Sequence, residues 1–377
     1  MRHVLTTVGA AALTAGAAHA GGIERSTQSV AILFEQGNHV EFSLGDVSPD
    51  VSGVQQVSLG GEPVGNSSGD VAGDYTAWSL GVKAALGDRL DFALVLDEPV
   101  GSDLEYPTGT GYAYAGSSAT IDSHALTAML RYRATSAISV IGGLRAVQTE
   151  GEVGLFIGYE MRAAKETDWG YLLGLAWERP EIAARVSLTY NSAVEHDFSA
   201  RESVPVEVAP GVFVPVEQQN GFTTTIPQSL HLEAQTGIAP GTLLFGSVRW
   251  VDWSEFRIAP PLYVQVVGDD LVAYDGDTVT YSIGLGRQFN GSWSGAVTAS
   301  YEDPIGGFSG NLGPTDGATS LGLAATYTRG PMKITGALRH VWLGDTETES
   351  PTSPGITFGE FEDNEGTALG LRVGYSF

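Results

Sequence analysis

The sequence predicts an all-β chain, a transmembrane antiparallel β-barrel of about 14 strands. Three observations predict it. Apolar and small or polar residues alternate with period two over long runs, those runs end in Trp or Tyr, and tight turns alternate with long polar segments. Period two is strand geometry, because successive side chains point to opposite faces. A soluble sandwich also alternates, but its apolar face looks inward and its turns come closer together. An apolar face with aromatic ends matches the girdles of a membrane barrel.

Taken in order, the chain opens with Arg2 and His3, an apolar run from Val4 to Leu13, and Ala18-His19-Ala20. That is the pattern of an export signal over residues 1–20 with cleavage after Ala20. The remainder is read as a short N-terminal segment, residues 21–37, and a barrel over residues 38–377. The 377 residues contain no cysteine, which removes disulfides, zinc–thiolate sites and thiol nucleophiles. A net charge of −25 argues against a nucleic-acid partner, whose phosphates need a basic surface. Beyond the N-terminus no run reaches the roughly 18 apolar residues of a membrane helix.

Strands are expected at 38–49, 73–86, 89–106, 119–133, 137–151, 157–178, 182–196, 222–238, 242–256, 277–288, 293–302, 317–328, 331–343 and 366–377. The last is the clearest, with Leu369, Leu371, Val373, Tyr375 and Phe377 on one face and Ala368, Gly370, Arg372, Gly374 and Ser376 on the other. Trp169, Tyr171, Leu173, Leu175 and Trp177 repeat the pattern. Tight links fall near Gly87-Asp88, Pro240-Gly241, Asn290-Gly291 and Arg329-Gly330, while 50–72, 107–118, 197–220, 257–276, 303–316 and 344–365 read as long outer loops. An even strand number leaves both termini on the periplasmic side, and closure pairs every edge.

Two strands carry chemistry on the lumen face. The ninth places Leu243, Phe245, Ser247, Arg249, Val251 and Trp253 inward, and the fifth places Ile141, Arg145 and Val147 inward. A water-filled pore would put polar groups there. Large apolar side chains beside an arginine suit an apolar tail with a carboxylate head. The candidate ligand contacts are therefore Arg145 and Arg249 for the head, with Phe245, Val251, Trp253 and Ile141 along the tail. The alternative is that these arginines pair with lumen carboxylates, such as Glu233 or Asp91, and only brace the barrel. Pro99 cannot donate to a ladder, so Leu96-Asp97-Glu98-Pro99-Val100-Gly101 signals a bulge, a gap or a strand end. The acidic clusters at Asp269-Asp270, Asp275-Asp277 and Glu360-Glu365 read as solvated loop surface, with weak cation binding beside lipopolysaccharide as the alternative. No G-x-S-x-G, H-E-x-x-H or P-loop occurs, and the histidines are scattered, so no enzymatic function, catalytic residue, cofactor or metal is expected.

Several stretches resemble the long-chain fatty-acid and hydrocarbon transporter family of Gram-negative outer membranes, the FadL/TodX (OMPP1) type. They are Asp46-Val47-Ser48-Pro49-Asp50-Val51-Ser52-Gly53, Asp168-Trp169-Gly170-Tyr171, Ser187-Leu188-Thr189-Tyr190-Asn191-Ser192 with Asp197-Phe198, and Trp250-Val251-Asp252-Trp253-Ser254-Glu255-Phe256. The resemblance implies a fourteen-stranded outer-membrane barrel, acting as a monomer among lipid and lipopolysaccharide. It implies passive uptake of long-chain fatty acids or similar hydrophobic compounds, with aromatic hydrocarbons or other small solutes as the alternative cargo. It further implies a lumen plug, here Val30, Ile32, Leu33 and Phe34, and a lateral opening at a kink in the third strand, here Pro99 and Gly101. Two departures stand out: Thr27-Gln28-Ser29 replaces the family's Asn-Pro-Ala in a shortened plug, and the loop between the fifth and sixth strands is nearly absent.

Overall fold

The computed structural model describes residues 22–377; the expected export signal, with Gly21, lies outside the described residues. Fourteen antiparallel strands close into a barrel: β1 (His39–Asp50), β2 (Tyr75–Ala85), β3 in two pieces (Leu90–Asp97 and Gly101–Glu105), β4 (Ser118–Arg133), β5 (Ile138–Gly154), β6 (Glu160–Arg179) and β7 in two pieces (Ala184–Asn191 and Val194–Ala209). They continue with β8 in two pieces (Val212–Ile226 and Ser229–Ala239), β9 (Thr242–Val251), β10 (Thr278–Gln288), β11 (Trp293–Glu302), β12 (Ala318–Arg329), β13 (Met332–Leu343) and β14 (Glu365–Ser376). Closure is made at β1, where His39 stands opposite Lys83 of β2 on one side and Ser376 of β14 on the other. The start of β1 and the end of β14 are tied there, since the Asn38 and Phe377 amides each donate to the other's carbonyl.

Alternation sets the two faces. On β6, Leu173 and Leu175 are 56% and 59% exposed on the outside, while Leu172 and Ala176 are buried in the bore. A closed cylinder leaves such large apolar side chains outside only when its solvent is hydrocarbon. Trp177, Trp293, Tyr327, Tyr375 and Phe377 ring the end with short turns, where Gly87, Gly241 and Gly330 take positive φ. Trp169, Tyr301 and Trp342 mark the opposite border.

Three loop or strand expectations are corrected. The segment 197–220 is not an open loop but a hairpin, with β7 running on to Ala209 and β8 restarting at Val212 around Gly211 (φ 74°). Valines at 204, 206, 212, 214 and 216 keep period two there, which the polar neighbours mask in the sequence. The segment 344–365 contains two strands (Thr346–Ser350 and Ser353–Phe361) that join Gly53–Gln55 and Phe308–Ser309 in a small sheet over the outer mouth. Tyr106, Tyr112, Tyr114, Phe358 and Phe361 form its core, and burial raises the three phenols' pKa values, so they stay neutral. Third, the expected strand 89–106 is interrupted at 98–100.

The outer hairpin is tied to the remaining loops by one buried carboxylate. Glu202 accepts from Tyr159 Oη (2.9 Å), Asn220 Nδ2 (2.7 Å) and the Tyr263 amide (3.1 Å), the last at the start of helix α1 (Pro261–Val267). That joins the β5–β6 turn, β7, β8 and α1 above the bore.

Candidate functional site

The N-terminal segment runs inside the barrel and defines the site. Residues Ala31–Phe34 make one 3-10 turn, and Val30, Ile32 and Leu33 pack on Ala93, Met129, Ile141, Leu172 and Ala176 of β3 to β6. The Arg131 and Arg185 guanidinium groups lie 4.2 and 4.4 Å from the centre of the Phe34 ring. Lys83 Nζ donates to the Glu35 and Gly37 carbonyls at 2.8 Å and pairs with Asp91 at 2.9 Å. Higher in the bore, Ser29 Oγ donates to Glu233 Oε1 (2.8 Å) and Ser26 Oγ to Asp97 Oδ2 (2.6 Å).

At the interruption of β3 the segment joins the wall. Asp97 stands opposite Ala125 and Gly101 opposite Asp122 of β4, so β3 carries one extra residue there, a bulge. Pro99 sits in it and uses its carbonyl, which accepts from the Arg25 amide (2.9 Å), while the Gly101 amide donates to the Ile23 carbonyl (2.9 Å). Residues 75–79 of β2 have no β3 partner, and the Trp78 amide donates to Glu98 Oε2 instead (3.1 Å). A Cβ on Gly101 would meet the Arg25 guanidinium, so any larger residue there must displace that flexible side chain.

Arg145 and Arg249 lie in the bore, 3% and 4% exposed. Arg249 grips Glu24 of the N-terminal segment with two nitrogens, Nε at 2.8 Å from Oε2 and Nη2 on Oε1. Its Nη1 and the Nε of Arg145 have no hydrogen-bond partner. Of the two carboxylates named above, Asp91 pairs with Lys83, Arg131 and Arg133, and Glu233 accepts from Ser29, so the bracing partner of Arg249 is Glu24 instead. Each arginine sits two residues inward of a valine, Val147 or Val251, that belongs to the apolar cluster above.

That cluster surrounds a pocket of about 60 Å³ lined by Ile23, Val100, Phe198, Phe222, Phe256 and Tyr274 among others. Trp253, 2% exposed, backs it in edge contacts with Phe256 (5.5 Å) and Tyr274 (5.4 Å). Below the N-terminal segment a larger cavity of about 240 Å³ follows β8 to β13 and is lined by serines, threonines, glycines and alanines with Arg185, Arg249, Arg339, Asp97 and Glu233. The sequence candidates therefore divide. Val251 and Trp253 join the apolar cluster, Arg145 lies buried inward of it, Arg249 and Phe245 line the lower cavity, Phe245 against Gly284, and Ile141 packs with Leu33. Glu24, His196 and the aromatic side chains of the outer hairpin were not among the candidates. Asp197-Phe198 drew attention through resemblance alone, and Glu24 carried no signal. Among the described residues no group of three His, Asp or Glu side chains is disposed to hold a metal.

An exposed apolar skin, girdled ends and a bore divided into compartments define a transport channel of an outer membrane. The chain belongs to the outer membrane protein transport protein family (OMPP1/FadL/TodX), whose model matches residues 6–303. Like the rest of that family it is an outer-membrane transporter of hydrophobic compounds and not an enzyme. Among solved structures it is similar to a Pseudomonas aeruginosa FadL homologue (15% identity, 92% of each chain, TM-score 0.74). It is also similar to the Pseudomonas putida toluene transporter TodX (13% identity, 95% of this chain and 97% of that one, TM-score 0.64) and the Ralstonia pickettii toluene transporter TbuX (14%, 92% and 90%, 0.60). At these identities the likeness is one of fold. No curated protein matches the chain in sequence.

Proposed function

We propose that this channel carries long-chain fatty acids, holding the acyl chain in the aromatic pocket and the carboxylate at Arg145 and Arg249. The observation that carries this reading is the pair of buried guanidinium groups with unused donors, Arg145 Nε and Arg249 Nη1, each two residues inward of a valine of the apolar cluster, Val147 or Val251. A carboxylate there gains charge-assisted hydrogen bonds that a hydrocarbon cannot make. Residues 22–37 act as the plug, and the ligand leaves sideways between β2 and β3 once Ile23 to Ser26 withdraw from the bulge at Pro99 and Gly101. The second reading is an aromatic hydrocarbon, favoured by the ring of Phe198, Phe222, Phe256 and Tyr274 and by Glu24 already occupying Arg249.

Uptake of labelled oleate and toluene by a Gram-negative strain lacking its own channel separates them. Oleate uptake that falls with Arg145→Met, at unchanged toluene uptake, supports the fatty acid; toluene uptake alone, indifferent to Arg145, removes it. For the side exit, Gly101→Trp fills the bulge and is expected to stop uptake in a barrel that still folds. Undiminished uptake by that variant rules out the exit.

A further inference from the structure

The inner face of β13 carries a cation that the barrel does not use. Arg339 lines the lower cavity, opposite Gly322 of β12 and Ala368 of β14, with Ala337 and Val341 as its inward neighbours along the strand. Other bore cations are tied down: Lys83, Arg131, Arg249 and Lys333 pair with carboxylates, and Arg185 stacks on Phe34. Among the described residues Arg339 makes no hydrogen bond, ion pair or ring contact, and no carboxylate bears on its charge. A guanidinium has five donors and no acceptor, and a wall of glycine and alanine offers it nothing to brace. Its donors therefore face the cavity.

The row that ends in Arg339 is amphipathic. Phe245, Gly284, Thr298, Gly322 and Arg339 stand opposite one another in turn from β9 to β13. Its two glycines are filled by their neighbours. A Cβ on Gly284 would meet the Phe245 ring and the Thr298 methyl, and a Cβ on Gly322 would meet the Thr298 hydroxyl. Thr298 thus turns its methyl toward the ring and its hydroxyl toward Arg339, and among the described residues that hydroxyl has no hydrogen-bond partner. The Phe245 ring, seated on Gly284, lies three strand spacings from the Arg339 backbone, about 14 Å, a span that the arginine side chain and one small aromatic solute fill together. Serines 282, 300 and 320 flank the row, so an acyl chain finds no continuous apolar wall here, whereas a single ring needs only one apolar face.

We infer that this row is a second ligand site, which takes a small aromatic carboxylate with its ring against Phe245 and its carboxylate on Arg339 and the Thr298 hydroxyl. Charge-assisted pairing supplies the affinity, and the two ends of the row set the orientation. The site does not rest on the cargo proposed above, since neither Arg145 nor the apolar pocket takes part in it.

The test is a titration of the detergent-solubilised full channel with para-fluorobenzoate, followed by fluorine NMR. Saturable binding is expected, weakened at least about tenfold in Arg339→Gln and several-fold in Thr298→Val, which keeps the contact with Phe245 and loses the hydroxyl. Arg339→Lys keeps the charge without the fork and is expected to fall between the unaltered channel and Arg339→Gln, which separates loss of the site from loss of the fold. Arg162→Gln removes an exposed guanidinium outside the bore and is expected to bind as the unaltered channel does. Neutral para-fluorobenzyl alcohol is expected to bind at least about tenfold more weakly than the carboxylate. Each variant is checked for folded mobility in unboiled gels. No saturable binding by the unaltered channel, an affinity indifferent to Arg339, or equal affinity for the alcohol overturns the proposal. The readout is binding and not uptake, so it decides this site whether or not the channel carries oleate.

Discussion

The bore has two compartments built on the same alternation and differing in chemistry. Outward of the N-terminal segment the inward positions are Val147, Val194, Phe198, Ile226 and Val251, capped by Trp253 and Phe256. Inward of it, β9 to β13 present hydroxyls that pair across strands: Ser247 with Ser282 and Ser300 with Ser320 at 2.6 Å, and Thr326 with Thr335 at 2.9 Å. A single strand shows the change, since β9 reads Val251, Arg249, Ser247 down its inner face. Arg249, Arg145, Glu24 and Asp97 mark the boundary. Charge is not confined to that boundary, since Arg185, Glu233 and Arg339 line the cavity below it, and the hydroxyls among them give that cavity a wall that water can wet.

The largest effect is expected from emptying the apolar side. Trp253→Ala removes a buried ring from contact with Phe256, Tyr274 and Gly22, and such truncations cost about 3–5 kcal/mol. Urea unfolding in detergent should show the loss, and hydrophobic uptake should fall with it. Uptake that survives would break the division, since the outer compartment would then not be the binding surface.

The boundary comes next. Glu24→Ala leaves Arg249 buried and unpaired, and breaking a buried pair on one side costs about 3–5 kcal/mol before any relaxation into the neighbouring cavity. The cost falls on the seating of the N-terminal segment, so protease should reach the segment and ion conductance through planar bilayers should rise. Adding Arg249→Met removes the stranded charge and should reseat the segment; conductance as high as in the single variant would show that Glu24 does more than neutralise Arg249. Above the pocket, Glu202→Ala leaves three donors without their acceptor, and relief of the buried carboxylate's desolvation offsets most of a penalty of about 1–3 kcal/mol per unsatisfied donor, so the net loss is expected below that of Trp253→Ala. Hydrogen exchange should then quicken in α1 and the β7–β8 hairpin while β10 to β14 stay protected.

How much of this was legible follows from what parity can and cannot say. Period two assigned Arg145, Arg249, Val251 and Ile141 to the inner face, because a strand's faces are fixed by counting. It says nothing of height along the axis, and height decides that Val251 meets the pocket while Ile141 meets Leu33. Pro99 betrayed the bulge because a missing N–H is visible in the sequence. Glu24 could not be read: it lies in a segment with no period, 225 residues from the arginine it pairs with. The β7–β8 hairpin reads as a loop in the sequence because beyond the membrane the outer face need not be apolar, so glutamates and glutamines stand where a spanning strand would place leucine.

The smallest effect tests the polar side. Ser300→Ala removes one hydroxyl from a 2.6 Å pair with Ser320, in a wall that borders a cavity of about 240 Å³. A neutral side-chain hydrogen bond contributes about 0.5–1.5 kcal/mol net, and a hydroxyl left beside a roomy polar cavity is rehydrated rather than stranded. The loss should therefore fall at the low end of that range, with hydrophobic uptake unchanged. Replacing the same serine with leucine asks a different question, because it adds apolar bulk to the wet path without touching the boundary arginines. If cargo leaves through the wall, Ser300→Leu should lower ion conductance and spare uptake; if uptake falls in step with conductance, cargo descends through the lower cavity and the two compartments are stages of one route.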